Sequence, residues 1–312
     1  MKMNYILSEI RLLWYSKIIG VVITVLFLAS AATIFFNYDS TIELNNNFDK
    51  IVSYYEKNNM DIQGDLNSNS YGISENNGLS KIDNPLAYYY HKLRSAIFSV
   101  GPSYSSSLLC ESSIVLLPII FGILGLVIGT IDHKNRTMKY KVARIGKNNY
   151  ILSKISSLMI INIIALIVYF ICGKIFSIIA YSNLKNIIDF TKVSSFSDTL
   201  NTSIFIQIVF VFFIAVIYSM IGILLGELLK SSLFGSIAII LYCIIVPLFS
   251  KFDLKNSIYY IAGKVYNFDG AISIANIKDT STAISFCIVG IILALTIGIY
   301  IILVKRRSAF ES

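Results

Sequence analysis

The residues whose types and spacing could do chemistry are concentrated in one short basic stretch of the chain. Asp132 directly follows an apolar run, and seven cations occur in the next 22 residues. These cations are Lys134, Arg136, Lys139, Lys141, Arg144, Lys147 and Lys154. Such a segment at a membrane boundary can touch anionic lipid or a protein partner. We therefore predict an interaction site here, and we identify no catalytic residue in it.

Motifs for other chemistries are missing from the sequence. It contains no GxxxxGK[ST] phosphate loop, no HExxH motif and no GxSxG motif. The four cysteines form no CxxC motif, and the two histidines are too few and too scattered for a metal site. Paired carboxylates inside the apolar runs, typical of ion-coupled carriers, are also missing. We expect no cofactor or metal on this chain.

The elements that must position the basic stretch are membrane helices. Of the 312 residues, 55% are hydrophobic and only 14% are charged, against about 25% charged in a soluble domain. A spanning helix needs about 20 mostly apolar residues. Six runs meet this requirement, at 18–36, 114–131, 157–180, 203–226, 232–249 and 282–304. The predicted fold class is an all-α membrane protein with six transmembrane helices.

The distribution of basic residues orients these spans. If both termini are cytoplasmic, the segments with the most excess basic charge all lie on the cytoplasmic side. Cytoplasmic loops typically carry such an excess of Lys and Arg, so we predict this orientation. The net charge of +8 therefore indicates contact with membrane lipid, and we expect no nucleic-acid partner. Residues with AT-rich codons are abundant, which indicates a bacterium. We predict a multi-pass protein of the bacterial cell membrane.

The polar segments between the spans have different characters. Residues 1–17 form an N-terminal interfacial elbow helix, with Trp14 and Tyr15 at headgroup depth. Residues 250–281 form a mixed outer loop whose apolar islands could be re-entrant, and 305–312 form a cytoplasmic tail. Glu227, at the inner boundary, is expected to be an interfacial charge near Lys230.

Residues 37–113 form the largest polar segment and are predicted to be a small helical extracellular insertion. Apolar residues recur with helical spacing at 48–55 and again at 86–97. Asn84 and Pro85 precede the second pattern and suit a helix N-cap and first turn. We expect the Asn run at 45–47 and the Asn/Ser/Gly-rich stretch at 67–80 to be irregular.

The basic stretch and its flanks, residues 132–156, are predicted to be a helical hairpin, which we call the basic hairpin. A helix-compatible segment covers 135–144, Gly146 and the following asparagines suit a turn, and a second helix begins at Tyr150. Because both arms continue into spanning helices, a protein that pushes on the basic hairpin would tilt two spans.

The basic hairpin resembles the corresponding loop of the type-2 ABC exporter permeases. In that family an acidic residue follows the second span. Next come a short polar segment that ends in Thr, a basic helix, a turn, and a Ser-Lys pair before the third span. The matching positions here are Asp132, Asn135-Arg136-Thr137, 139–144, 146–149 and Ser153-Lys154. The family more often has Glu at the first position and Gly-Thr at the second. The layout of elbow helix, six spans and basic C-terminus is also similar.

The resemblance implies a permease that pairs with a second permease, of the same or another chain, and with two cytoplasmic ABC ATPase subunits. ATP and Mg would then be bound by the ATPase, which would carry out the hydrolysis. The basic hairpin would contact that ATPase as a coupling element. The residues assigned to coupling by this resemblance are Asp132, Arg136, Thr137, Lys139, Lys141, Arg144 and Lys154.

Two GxxxG pairs fall within predicted spans. Gly125 and Gly129 lie in the second span, and Gly222 and Gly226 lie in the fourth. Such pairs allow close approach of two helices. Packing within one subunit is favoured over a dimer interface.

Three functional hypotheses follow from the sequence. The favoured one is the permease of an ATP-driven exporter of an amphipathic or hydrophobic substrate, such as an antimicrobial peptide, a drug or a lipid-linked molecule. The first alternative is a membrane sensor or assembly factor that binds a ligand or partner through residues 37–113 and transports nothing. The second alternative is a secondary carrier or an intramembrane enzyme.

Overall fold

A computed structural model describes residues 3–67, 72–76, 79–190, 202–245, 250–268 and 277–310. Within these ranges the chain forms eleven α-helices, one π-helical turn and two short strands. The elements are α1 (Met3–Tyr15), α2 (Ile18–Lys57), α3 (Ile62–Asn67), β1 (Ile73–Asn76), β2 (Leu79–Ile82), α4 (Pro85–Val100), α5 (Ser105–Lys134), α6 (Met138–Ile145), α7 (Lys147–Ile187), α8 (Ile204–Leu229), α9 (Ser232–Ile240), the π-helix (Leu241–Ile245), α10 (Leu254–Val265) and α11 (Thr282–Phe310).

Five of these helices are long and apolar enough to cross a membrane, namely α2, α5, α7, α8 and α11. The prediction of a multi-pass helical membrane protein is therefore confirmed at this level. The predicted span 232–249 is not among the five, and its described part, Ser232–Ile245, forms α9 and the π-helix. Fourteen helical residues extend about 21 Å, less than the roughly 30 Å of a bilayer core. Residues 246–249 lie outside the described part of the chain.

The centre of the bundle is the packing of α5 against α8. These two helices bury most of their apolar residues, whereas α2 and α11 leave long apolar faces exposed. α9 also packs on α5, and α7 packs on α2. Exposed Ile, Leu and Phe side chains on the outer helices suit a lipid environment.

Two helices continue well beyond their predicted spans. α2 runs without a break from Ile18 to Lys57, and α7 runs from Lys147 to Ile187. Each is about 60 Å long at 1.5 Å per residue, so each projects beyond the bilayer core. The expectation that 45–47 is irregular was wrong, because these asparagines lie inside α2. Packing of α2 against α4 and α7 outweighs their weak helix propensity.

The projecting ends of α2 and α7 form a small domain with α4. It has an apolar core of its own, separate from the main one, in which Phe48, Leu93 and Leu184 are buried. The predicted second helix is confirmed as α4, and the Asn84 side chain accepts a 3.0 Å hydrogen bond from the Ala87 backbone N–H. A helical insertion between the first two spans is therefore present.

The expectation of an irregular stretch at 67–80 was wrong in part. β1 pairs with β2 in antiparallel register, with Ile73 opposite Ile82 and Asn76 opposite Leu79. Residues 77–78, between the two strands, lie outside the described part of the chain. Residues 68–71 lie outside the described part of the chain.

The N-terminal helix α1 is separate from α2. Ser16 and Lys17 join them, and Lys17 has a left-handed backbone with φ of 61°. α1 buries Glu9 and Leu13 and leaves Trp14 and Tyr15 exposed. This supports the predicted division at residue 17, and the location of α1 at the membrane interface stays a prediction.

The loop before α11 is largely packed against the bundle. α10 contacts α8, α5 and α11, and its first residues are buried. The Lys255 ammonium donates a 2.9 Å hydrogen bond to the carbonyl oxygen of Cys243, at the π-helix. The Asn256 side chain accepts from the Lys278 N–H at 2.9 Å and donates to the Lys278 carbonyl at 3.1 Å. Residues 269–276 of this loop lie outside the described part of the chain.

Candidate functional site

The basic hairpin is two helices joined by short turns. α5 ends at Lys134, Arg136 has a left-handed backbone with φ of 53°, and α6 covers Met138–Ile145. Gly146 has φ of 80°, a conformation that glycine adopts at little cost, and α7 follows at once. The second helix thus begins at Lys147, three residues before the predicted start. The asparagines expected in the turn form part of the first turn of α7.

Asp132 is the centre of a buried group of polar side chains, which we call the Asp132 cluster. Its carboxylate is fully buried at the last turns of α5. Lys154 Nζ lies 2.8 Å from Oδ2, and Lys141 Nζ lies 2.9 Å from Oδ1. The Tyr150 hydroxyl donates to Oδ2 at 2.7 Å, and the Thr137 hydroxyl donates to Oδ1 at 2.8 Å. Each carboxylate oxygen therefore has one cationic and one hydroxyl partner.

The Asp132 cluster connects four helices. Lys154 is 1% exposed, and its ammonium also donates to the carbonyl oxygen of Ile128 at 2.9 Å. Lys141 reaches Glu9 Oε1 of α1 at 2.6 Å. Burial lowers the pKa of Lys141, but the carboxylates of Asp132 and Glu9 raise it more, so its pKa stands above the ordinary value. Lys141 is therefore charged throughout the neutral range, and α1, α5, α6 and α7 are held together by one network of charges.

The resemblance assigned seven residues to coupling, and the structure divides them into two sets. Asp132, Thr137, Lys141 and Lys154 point inward into the Asp132 cluster. The other three, Arg136, Lys139 and Arg144, are exposed. Tyr140, which the prediction did not single out, lies between them and is 76% exposed. Of the seven assigned residues, these three exposed cations are the most accessible to another molecule, whereas the Lys141 side chain is 25% exposed.

A second buried charge group lies beside the first. Glu227, near the end of α8, was expected to be an interfacial charge near Lys230, and its side chain is 1% exposed. His133 Nε2 lies 3.0 Å from Glu227 Oε2, and Arg307 Nη1 lies 3.6 Å from Oε1. Arg307 also donates to the backbone carbonyl of Glu227. The C-terminal part of α11 is thereby connected to α5 and α8.

We call the end of the bundle that holds these two groups the charged end. Lys147 Nζ donates to the Lys305 carbonyl at 3.2 Å, so the start of α7 and the end of α11 also meet there. The sequence did not indicate the roles of Glu9, His133 and Arg307. Glu9 is a single acidic residue on an otherwise apolar face of α1, and this pattern could have indicated a buried ion pair.

The four glycines of the GxxxG pairs meet at the α5–α8 crossing. A Cβ added to Gly125 would overlap the carbonyl oxygen of Ser219, and one added to Gly222 would overlap that of Gly122. Gly129 and Gly226 face each other in the same way. All four therefore pack within the chain, where their lack of a side chain permits backbone contact.

Glu111 is a buried carboxylate that the sequence analysis placed in the polar insertion. It lies in the second turn of α5, at the opposite end of the bundle, and is 1% exposed. The Tyr104 hydroxyl donates to its Oε1 at 2.5 Å, and the Phe268 N–H donates to the same oxygen at 3.1 Å. These bonds join the loop after α10 to the start of α5, which indicates a structural role.

Within the residues that the structure describes, no group of three or more His, Cys, Asp or Glu side chains could hold a metal ion. The charged end carries an exposed basic face on the basic hairpin, formed by Arg136, Lys139 and Arg144. Comparison with models of known protein families, with curated proteins and with solved structures finds no match to the chain.

Proposed function

We propose that the chain is the membrane-spanning permease subunit of an ATP-driven exporter and that the basic hairpin receives the movement of a separate ATPase. ATP and Mg belong to that ATPase, and a second permease, the same chain or another, completes the pathway. The proposed substrate is amphipathic or hydrophobic, such as an antimicrobial peptide, a drug or a lipid-linked molecule.

The observation that carries this proposal is the coupling of an exposed basic face to long membrane helices. Arg136, Lys139 and Arg144 are exposed on or beside α6, and the Asp132 cluster joins α6 firmly to α5 and α7. A force applied to α6 is therefore transmitted to both helices. Since α5 packs on α8 through backbone contact, the movement would reach the centre of the bundle.

The route of the chain supports a sixth crossing. α8 ends at the charged end, whereas Phe210, near its start, contacts Tyr266 with ring centroids 5.8 Å apart. The chain between Leu229 and Tyr266 must therefore pass from one end of the bundle to the other, and Ser232–Ile245 is the helix along that path. We propose that this short helix and the packed loop after it complete six crossings.

The orientation is also part of the proposal. The basic residues of the hairpin and of the C-terminal tail lie at the charged end, and basic excess is typical of the cytoplasmic side. Both termini would then be cytoplasmic, in a bacterial cell membrane. The small domain formed by α2, α4 and α7 would be extracellular.

The test is co-purification of the tagged protein with ABC ATPases from its own cells. Charge reversal of Arg136, Lys139 and Arg144 to Glu should release the ATPase, because three exposed cations become anions. Lys50→Glu is the matched control, since Lys50 is exposed on the projecting part of α2. Each variant should keep the wild-type elution volume and melting temperature.

The proposal would be overturned if wild-type protein retained no ATPase, or if the triple reversal retained as much as Lys50→Glu. The sensor or assembly-factor alternative would then be favoured. One observation supports that alternative, namely that the domain formed by α2, α4 and α7 has its own apolar core. A secondary carrier would instead show transport driven by an ion gradient without ATP.

A further inference from the structure

The charged end contains a cavity of about 660 Å³ beside the basic hairpin. Its walls come from two places where a helix ends and another begins: the α5–α6 turn on one side and the α8–α9 turn on the other. Four cations line it, and these are Lys134, Arg136, Lys139 and Lys230. A space of this size accommodates a phosphate group with its substituents.

The charge on the cavity wall is predominantly positive. Asp132 also contributes to the wall, but its carboxylate is fully buried and already accepts from Lys141 and Lys154. Ser231 and Ser232 add hydroxyl groups, and the backbone N–H groups at the start of α9 add the positive end of a helix dipole. The cavity therefore presents cations and hydrogen-bond donors to a single type of ligand, an anion.

The position of the cavity indicates where that anion comes from. Thr130 and Ser232, both on its wall, belong to the ends of apolar helices, so the cavity lies at the depth of lipid headgroups rather than beyond the membrane. The apolar residues next to it in the chain are exposed: Leu229 at 44%, Leu233 at 62% and Phe234 at 69%. A ligand with an anionic head and apolar chains fits both surfaces.

Two of the cations lie at helix ends whose backbone also suits glycine. Arg136 and Lys230 both have left-handed φ angles, 53° and 52°, in which any residue with a Cβ is strained. Glycine would occupy these helix ends at lower cost. Glycine at Arg136 and Lys230 would therefore remove both cations without disturbing the backbone there.

We propose that this cavity binds the phosphate headgroup of an anionic lipid from the leaflet at the charged end. Arg136 and Lys230 approach the headgroup from opposite walls, Lys134 and Lys139 complete the cationic lining, and the acyl chains lie along α9. The cavity shares Arg136 and Lys139 with the proposed ATPase-facing surface, whereas Lys134 and Lys230 line the cavity without belonging to that surface and Arg144 belongs to that surface without lining the cavity.

The experiment is native mass spectrometry of the full chain, titrated with phosphatidylglycerol or with phosphatidylcholine of the same acyl chains. Wild type should bind phosphatidylglycerol at least about tenfold more tightly. The test variant is Arg136→Gly together with Lys230→Gly. It should lose about tenfold or more of that affinity, since each cation near the membrane surface contributes about 1 kcal/mol.

The glycine variant is chosen because it keeps the fold. Both positions favour glycine, so its melting temperature without lipid should equal or exceed that of wild type. The matched control is Arg144→Gln together with Lys50→Gln, which also removes two exposed cations but leaves the cavity unchanged. It should retain wild-type affinity for phosphatidylglycerol.

Four results would overturn the proposal. Equal binding of the two lipids would show that no anionic headgroup is selected. An equal loss of phosphatidylglycerol affinity in the test and control variants would show that only the net charge of the protein matters. Displacement of phosphatidylglycerol by millimolar inorganic phosphate would assign the cavity to free phosphate. An ATPase released by the glycine variant with lipid binding unchanged would assign it to the protein partner instead. The hairpin reversal variants cannot replace this test, because Arg136 and Lys139 belong to both the cavity and the proposed ATPase-facing surface.

Discussion

Asp132 carries a charge that is completely buried, and its neighbours account for how that burial is tolerated. An isolated carboxylate in an apolar interior is very costly unless it is paired and hydrogen-bonded. Here two ammonium groups and two hydroxyl groups share its two oxygens. Lys154 is itself only 1% exposed, so its buried ammonium in turn needs the carboxylate of Asp132 as a counter-charge.

Replacement of Asp132 by Asn should therefore destabilise the protein more than a surface change does. The substitution leaves the ammonium of Lys154 buried without a counter-charge, and removal of one partner of a buried pair costs about 3–5 kcal/mol. Thermal unfolding in detergent should show a clearly lower melting temperature. Arg144→Gln, on the exposed side of the same hairpin, should leave the melting temperature unchanged.

A second substitution tests whether that loss comes from the unpaired lysine. Lys154→Met in the Asp132→Asn background removes the buried cation and should recover part of the lost stability. If Asp132→Asn unfolds at the wild-type temperature, or if the double variant is less stable than the single one, the pairing of Asp132 with Lys154 does not stabilise the charged end.

Glu111 offers an independent test at the opposite end. Tyr104→Phe removes the hydroxyl that donates to Glu111 Oε1 and leaves a buried carboxylate with one donor fewer. We expect a loss of about 1–3 kcal/mol in unfolding free energy, measured by denaturant titration. Tyr140→Phe removes an equivalent hydroxyl from an exposed tyrosine and should change nothing. Equal stability of the two variants would contradict the buried hydrogen bond.

At the scale of elements, the α5–α8 crossing depends on residues without side chains. The carbonyl oxygen of Ser219 occupies the place where a Cβ of residue 125 would lie, and the carbonyl oxygen of Gly122 does the same for residue 222. Any larger residue at these positions must push the two helices apart. Because α5 and α8 form the centre of the bundle, the separation would also disturb the helices that pack on them.

Gly125→Ala should therefore reduce stability by about 1–3 kcal/mol, the usual cost of overpacking a close contact. Gly20→Ala in α2 and Gly290→Ala in α11 are matched controls, because an added Cβ meets nothing within 4 Å there. These controls should be neutral or slightly stabilising, since Ala favours a helix more than Gly does. A neutral Gly125→Ala would contradict the close crossing.

At the scale of the whole molecule, the two ends differ in charge and in architecture. The charged end gathers the α1–α2, α5–α6 and α8–α9 turns, and each has a basic residue with a left-handed backbone: Lys17, Arg136 and Lys230. The opposite end consists of a helical domain with its own apolar core. This asymmetry predicts that the two ends lie on different sides of the membrane.

Cysteine labelling in intact cells can check that arrangement. In a background with the four native cysteines replaced by Ala, Lys50→Cys should react with a membrane-impermeant thiol reagent. Arg144→Cys and Arg306→Cys should react only after lysis, because both lie at the charged end, which we propose to be cytoplasmic. Labelling of Arg144→Cys and Lys50→Cys from the same side would contradict a bundle that spans the membrane between them.

The sequence by itself determined the class of the protein, its helical character and most of its long helices. Apolar runs of spanning length appear directly in composition, because a lipid environment selects them residue by residue. Local signals also sufficed for α4, where Asn84 and Pro85 mark the start. These features depend on neighbours within about four residues.

Only the tertiary structure decided which charged residues are buried together and which are exposed. Asp132 contacts Lys141 and Lys154, and Lys141 contacts Glu9, although 132 positions separate the last two in the chain. Glu227 and Arg307 are likewise distant in the chain and meet in the fold. Packing with other helices also decided that Asn45 lies inside α2. Ion pairing and packing between distant segments depend on how helices cross, and helix crossing is set by the whole bundle rather than by local periodicity.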